Sequence, residues 1–216
     1  MYVSIEIPEI SEFPEGFPAF WVTSLFVQSL SEDFKVNALV SSYIRLVESA
    51  LREYRYSSNE LKSFWEPSMS LNLRAMHKAI THFETCITNM HRARNCYKKI
   101  RKNQELPTEL KKLLSNERPT FINDNISRRL ADVRNQIHHQ EEHVLKGEIP
   151  EGTQFLLSPY GEETRVDDEP NQTLKKFDRL KIGNLEILFL ELSQWLTEIE
   201  RLAEIISSYH VNNRRQ

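Results

Sequence analysis

The chain has 216 residues, 39% of them hydrophobic and 27% charged, with a formal net charge of −3. That length suits one domain, and the hydrophobic share lies below the roughly 45–50% usual for globular proteins, so the core is lean. Five Gly are too few for the tight turns of an all-β sandwich or barrel, no apolar run reaches the ~18 residues of a membrane span, and Met1–Glu15, with four Glu and no Lys or Arg, does not read as a signal or transit peptide.

The elements read mostly as helices. Pro18 opens a first helix over about 18–30. Ser31, followed by acids at 32 and 33, caps a second. In it Val36, Leu39, Val40, Tyr43, Leu46, Val47, Ala50, Leu51 and Tyr54 recur every three to four residues, and Ser57, Ser58 and Asn59 end it. Pro67 breaks the pattern. Ser68 or Ser70 starts a third helix with Met76, Ile80, Phe83, Ile87, Met90, Tyr97 and Ile100 on one stripe, ending near Asn103. A short basic helix lies between Pro107 and Pro119. A fourth long helix starts at Asn123 or Asp124 and ends before Gly147.

Residues 147–183 differ, holding four of the five Gly. Thr153–Leu157 and Glu163–Val166 flank a Ser-Pro-Tyr-Gly turn and could pair as a hairpin, with Leu180–Ile182 a third short strand. A strongly apolar closing helix follows from Leu185. The expected fold is mainly α: a bundle of four to five long helices in one domain over 1–216, with a small β-hairpin insertion at 147–183 before the C-terminal helix.

Cys86 and Cys96 fall ten residues apart on the third helix, about 15 Å, beyond disulfide reach. Free thiols point to a reducing compartment, most simply the cytoplasm. Charge is uneven. Residues 88–118 hold nine basic side chains and three acids, whereas 141–169 hold nine acids and two basic residues. The basic window, with Lys98, Lys99, Arg101 and Lys102 at its centre, can bind phosphate backbones or can be the solvated end of a long helix.

The chemistry concentrates on the fourth long helix. With Val133 at zero on a helical wheel, Ile126, Leu130, Ile137 and Val144 fall within about 60° and form a core stripe. Arg134 and His138 lie near 100° and 140°, Asn135 and His139 near 200° and 240°. Asn135 and His139 therefore stack one turn apart, away from the core.

The motif Arg134-Asn135-x-x-x-His139 resembles the signature of the HEPN superfamily of small helical domains, many of them metal-independent endoribonucleases of toxin–antitoxin, phage-defence and CRISPR systems. The resemblance is loose over the helical frame and specific over residues 134–139. It implies a homodimer whose two motifs form one composite site, with Ala131 small enough to let two such helices approach, and in some settings a neutralising antitoxin or regulatory protein. A Tyr two residues after the His, which a partner nucleotidyltransferase modifies in some family toxins, is Glu141 here. The implied roles are His139 as general base or acid, Arg134 as phosphate stabiliser and Asn135 as positioner. His138, Arg128 and Arg129 are supporting candidates.

The residue types fit that chemistry. RNA carries its own nucleophile, the 2′-OH. A neutral imidazole can take its proton near neutral pH, and a guanidinium can hold the charge that builds on the phosphate. No metal or other cofactor is required, and the expected products are a 2′,3′-cyclic phosphate and a 5′-OH. Two other classes compete. His139-x-x-Glu142-His143 matches the pattern of inverted zinc peptidases, with His139 and His143 as ligands and Glu186, Glu191 or Glu198 as a further acidic ligand. A non-catalytic helical interaction or scaffold protein would use the same polar faces to dock partners.

Overall fold

The computed structural model describes residues 2–10, 14, 16–26, 30–65, 72–148, 155–166 and 169–212. The chain is mainly helical, with a small sheet whose last three strands precede the C-terminal helix. Its elements are β1 (Tyr2–Ile5), α1 (Gly16–Phe26), α2 (Phe34–Phe64), α3 (Leu73–Lys102), α4 (Thr108–Asn116), a 3-10 turn (Thr120–Ile122), α5 (Asp124–His138), α6 (Gln140–Lys146), β2 (Ser158–Val166), β3 (Glu169–Ile182), β4 (Leu185–Leu188) and α7 (Phe189–Asn212).

Helices α2 and α3 pair antiparallel along their lengths, as the cross-helix contacts Ser49–Asn89, Glu53–His82 and Glu60–Lys78 show. The apolar stripes on both helices are buried, with Leu39, Met76 and Ile80 half-buried at their margins. The caps differ slightly from the expected ones. Asp33, not Ser31, caps α2 by accepting from the Lys35 N–H, while the Ser31 hydroxyl accepts from the Asp33 N–H. Asn72 caps α3 through the Ala75 N–H; Ser68 and Ser70 lie outside the described residues. Helix α2 does not end at Ser57–Asn59. Ser57 is buried and donates its hydroxyl back to the Tyr54 carbonyl, so it does not compete for the helix. Leu61 and Phe64 carry the stripe onward.

Helix α7 closes the bundle. Phe189 stacks on Phe83 at 5.5 Å between centroids, and the Tyr43 hydroxyl donates to the Ile199 carbonyl at 2.8 Å. Helix α5 lies antiparallel to α3, with Arg94 bonded to Ser127 and Thr88 beside His138. One continuous core cluster runs from Ile7 to Ile206.

The sheet departs from the expected hairpin. Ser-Pro-Tyr-Gly is not a turn but the first half of β2, which pairs antiparallel with β3. Leu180–Ile182 is the end of that long central strand, not a separate one. Thr153 and Gln154 lie outside the described residues. Gly161 explains why the sequence reads as a turn. A Cβ there would overlap the Lys176 carbonyl, and the register shifts between Tyr160 and Gly161. This Gly allows a bulge and a close strand approach, not a reversal.

The reversal comes at Gly183, with φ of 56°, which folds Leu185–Leu188 back onto β3 as β4. The closing helix therefore starts at Phe189 rather than Leu185. Strand β1, unforeseen, pairs parallel with Leu174–Phe177 on the edge of β3 that β4 occupies further along. Trp65 at the end of α2 packs on Phe177 at 5.2 Å, joining sheet to bundle.

No helix among the described residues is long and apolar enough to cross a membrane. Cys86 is buried, Cys96 half-buried, and both are free thiols.

Two substitutions test this account by urea denaturation. Leu130→Ala empties a fully buried site on α5 and is expected to cost about 2–4 kcal/mol. Gly161→Ala forces apart two strands in backbone contact and is expected to cost about 2 kcal/mol or more.

Candidate functional site on the face between α3 and α5

The apolar stripe that holds α5 against the core consists of Leu130 and Val133, fully buried, with Ile126 and Ile137 packed at its margin. Val144, expected on that stripe, is instead 53% exposed, and Leu145 is 86% exposed. The stripe thus ends at Ile137, and with it the helix. The fourth long helix is two helices, α5 and α6, joined at His139 (φ −106°, ψ 11°). The i to i+4 bonds continue across the joint, His139 N–H to the Asn135 carbonyl at 2.9 Å and His143 N–H to the His139 carbonyl at 3.1 Å. These two bonds link the helices, and the helical conformation is interrupted at His139 itself. Gly147, with φ of 67°, caps α6 in the left-handed conformation.

Asn135, His138 and His139 are exposed and Arg134 is half-buried. The Arg134 guanidinium donates to the Asn135 side-chain carbonyl at 3.1 Å, while its Nε is buried with no hydrogen-bond partner among the described residues. The His139 ring turns to Glu142, 3.4 Å from Nδ1 to the carboxylate. Thr88 on α3 meets Nε2 of His138 at 3.3 Å. Within one chain Arg134 and Asn135 are thus bonded to each other, while the His139 side chain turns to Glu142.

His91 on α3 completes this face and was not foreseen. Burial lowers its pKa below the usual imidazole range, helped by the charges of Arg94, Arg134 and His138. The pKa of His138 is also lowered, chiefly by desolvation and then by Arg134 and His139. The signal was present as a polar stripe at helical spacing on α3: Glu84, Thr88, His91, Asn95, Lys98, Lys102. Alone, such a stripe reads as a solvated face, and only the packing of α3 against α5 shows what it meets.

The supporting candidates separate. Arg129 binds Glu191 at 2.6 Å and lies over the Trp195 ring at 5.2 Å, so it ties α5 to α7. Arg128 is exposed. Of the basic window, Lys98, Arg101 and Lys102 line one hollow of about 370 Å³ with Ile122. Lys99 is exposed and is not part of its lining.

The zinc alternative loses its ligand set. His139 and His143 face different acids, Glu142 and Glu148. Each proposed further ligand is engaged elsewhere: Glu186 with Arg179, Glu191 with Arg129, and Glu198 with the N–H groups of Thr120 and Phe121. Among the described residues no group of three or more His, Cys, Asp or Glu is placed to hold a metal ion.

Comparison of the chain with protein-family models, with curated proteins and with solved structures finds no match.

The lowered pKa of half-buried His91 carries a pH consequence. Its contribution to stability is complete above the unfolded-state value of about 6.5 and is lost as pH falls, because the unfolded chain takes the proton first. The protein is expected to melt at a lower temperature at pH 5.5 than at pH 7.5, and His91→Gln to shrink that difference. In an NMR titration the His91 and His138 rings are expected to protonate below pH 6.5.

Proposed function

We propose that the chain is a metal-independent endoribonuclease of the HEPN type, acting as a homodimer. The observation that carries this reading is one face that presents an exposed His139 at a helix break and an Arg134 held by Asn135, beside His138 and His91. A neutral imidazole is the form that accepts a proton. In the proposed reaction it takes the proton of the RNA 2′-OH and the 2′-oxygen attacks the adjacent phosphorus. The P–O5′ bond then breaks, and the leaving 5′-oxygen receives a proton from an imidazolium. Arg134 balances the charge on the phosphate oxygens in a two-pronged contact. RNA ends as a 2′,3′-cyclic phosphate and a 5′-OH, and DNA, lacking the 2′-OH, is not cut.

The dimer part of the reading rests on two features. Within one chain His139 turns to Glu142 and Arg134 to Asn135, so a second copy can supply the other member of each pair. Val144 and Leu145 are exposed apolar side chains beside it, on α6, suited to covering by that copy. Those two residues also favour the second reading, a non-catalytic interaction module that docks an antitoxin-like or other partner through α6. A toxin–antitoxin or defence setting in the cytoplasm belongs to the first reading.

RNA incubated with the protein in EDTA is expected to be cleaved to cyclic-phosphate ends. His139→Ala and Arg134→Gln are each expected to lower the rate about 100-fold or more, on the order of 3 kcal/mol in the barrier. His139→Ala is expected to shift stability by only about 0.5 kcal/mol, since the side chain is exposed. Mixing the two inactive variants is expected to restore part of the activity through heterodimers that keep one intact composite site. Absence of cleavage by the unmodified protein, with or without metal, selects the interaction module.

A further inference from the structure

The hollow lined by Lys98, Arg101, Lys102 and Ile122 lies along the same groove as Arg134 and His138. Helices α3 and α5 run antiparallel, so Thr88 stands opposite His138, Arg94 opposite Ser127 and Lys98 opposite Asp124. Going from the level of His91 to that of Lys98–Lys102 covers seven to eleven residues of α3, about 10–17 Å of rise. Arg94 lies between. The face therefore carries cations or imidazoles at every turn from the bend at His139 to the end of α3.

Cations in a last helical turn commonly do no more than complement the dipole. Here three of them converge on one concavity, more than the half-charge of a helix end requires. Asp124 is 4.0 Å from Lys98 and its side chain is 94% exposed, so water screens most of what it offers. Burial first, and then the charges of Arg94 and Lys102 against the opposing pull of Asp124, push the Lys98 ammonium below its usual pKa. Ile122 adds one apolar wall.

We propose that this hollow is a phosphate subsite for single-stranded RNA. It seats a backbone phosphate about two to three nucleotides from the one held at Arg134, at roughly 6 Å per extended nucleotide. Ile122 contacts the attached ribose or base. The proposal rests on the reading that RNA runs along the α3–α5 face, but not on cleavage. A strand must be at least about four nucleotides long to occupy both ends, which makes length the first determinant of affinity.

The test uses a non-cleavable 2′-O-methyl oligoribonucleotide of about eight residues, measured by fluorescence anisotropy over a range of salt. Lys98→Gln/Arg101→Gln/Lys102→Gln is expected to bind about tenfold more weakly. Its slope of log affinity against log salt is expected to be shallower by about 0.7, the loss of one single-strand phosphate. A control with equal charge removed elsewhere, Lys35→Gln/Lys78→Gln/Lys112→Gln, is expected to keep both affinity and slope. Wild-type affinity is expected to step up as the oligomer grows from two to about five nucleotides, and the triple variant to lack that step. Equal affinity and slope for the triple variant and wild type, or equal losses in the control, would overturn the subsite even if RNA is cleaved. Loss confined to the triple variant, in a protein that cleaves nothing, upholds the subsite and removes the ribonuclease.

Discussion

Tyr43 holds the arrangement together. It is fully buried in α2, its hydroxyl donates to the Ile199 carbonyl of α7, and its ring lies 5.7 Å from that of Tyr97 on α3. Tyr97 in turn packs on Phe121 at 5.8 Å, in the 3-10 turn that leads into α5. Burial pushes the Tyr43 hydroxyl well above its ordinary pKa, so it remains a donor throughout the accessible range. A buried hydroxyl without its acceptor costs about 1–3 kcal/mol, so this bond sets the depth at which α7 sits against α2. Glu198, one residue before the accepting carbonyl, then receives the N–H groups of Thr120 and Phe121. One buried tyrosine thus relays the position of the first helical pair to the start of the helix that carries Arg134 and Asn135.

The same frame separates two kinds of charge. On the sheet, Arg179 is held by Asp178 and Glu186 with Glu162 nearby, and its pKa is raised accordingly. Such pairs neutralise each other and leave little field. On the face between α3 and α5 the pattern reverses. Arg94 bonds a serine, Arg134 bonds an asparagine, and Lys98 faces a solvated aspartate. Neutral partners fix Arg94 and Arg134 without cancelling their charge, and the solvated Asp124 offsets that of Lys98 only in part. A chain with net charge −3 therefore presents a locally positive groove, and a local field rather than the overall balance governs what approaches it.

The helices were legible because a 3.6-residue stripe sustained over about twenty residues or more has no competing reading: Val36 to Tyr54 and Met76 to Ile100 each line one face. The sheet was less legible for identifiable reasons. Gly161 looks like a turn residue because flexibility and missing bulk leave the same trace in a sequence, and only the Lys176 backbone beside it shows which property is used. Leu185–Leu188 continues the apolar spacing of α7, and periodicity alone does not reveal that Gly183 turns it back as a strand. Strand β1 needs Leu174–Phe177 as a partner about 170 residues away, and pairing at that separation leaves no local signature. At the candidate site the outward direction of Asn135 and His139 was readable from the wheel. The contribution of His91 was not, since it depends on which face of α3 meets α5.

The bend at His139 connects these observations. Had the apolar stripe continued through Val144, α5 and α6 would form one rigid rod with His139 fixed on the same generatrix as Asn135. Because it stops at Ile137, α6 is held by backbone bonds to α5 and by the half-buried Gln140 beside Glu84 of α3, and the exposed apolar pair Val144 and Leu145 does not join the core. Such a short helix is weakly stabilised by itself, since isolated helices below about 12–15 residues are marginal in water. Covering Val144 and Leu145 would recover apolar burial and, in the same motion, orient the imidazole next to them. The break thereby ties the orientation of the His139 ring to whatever surface covers α6.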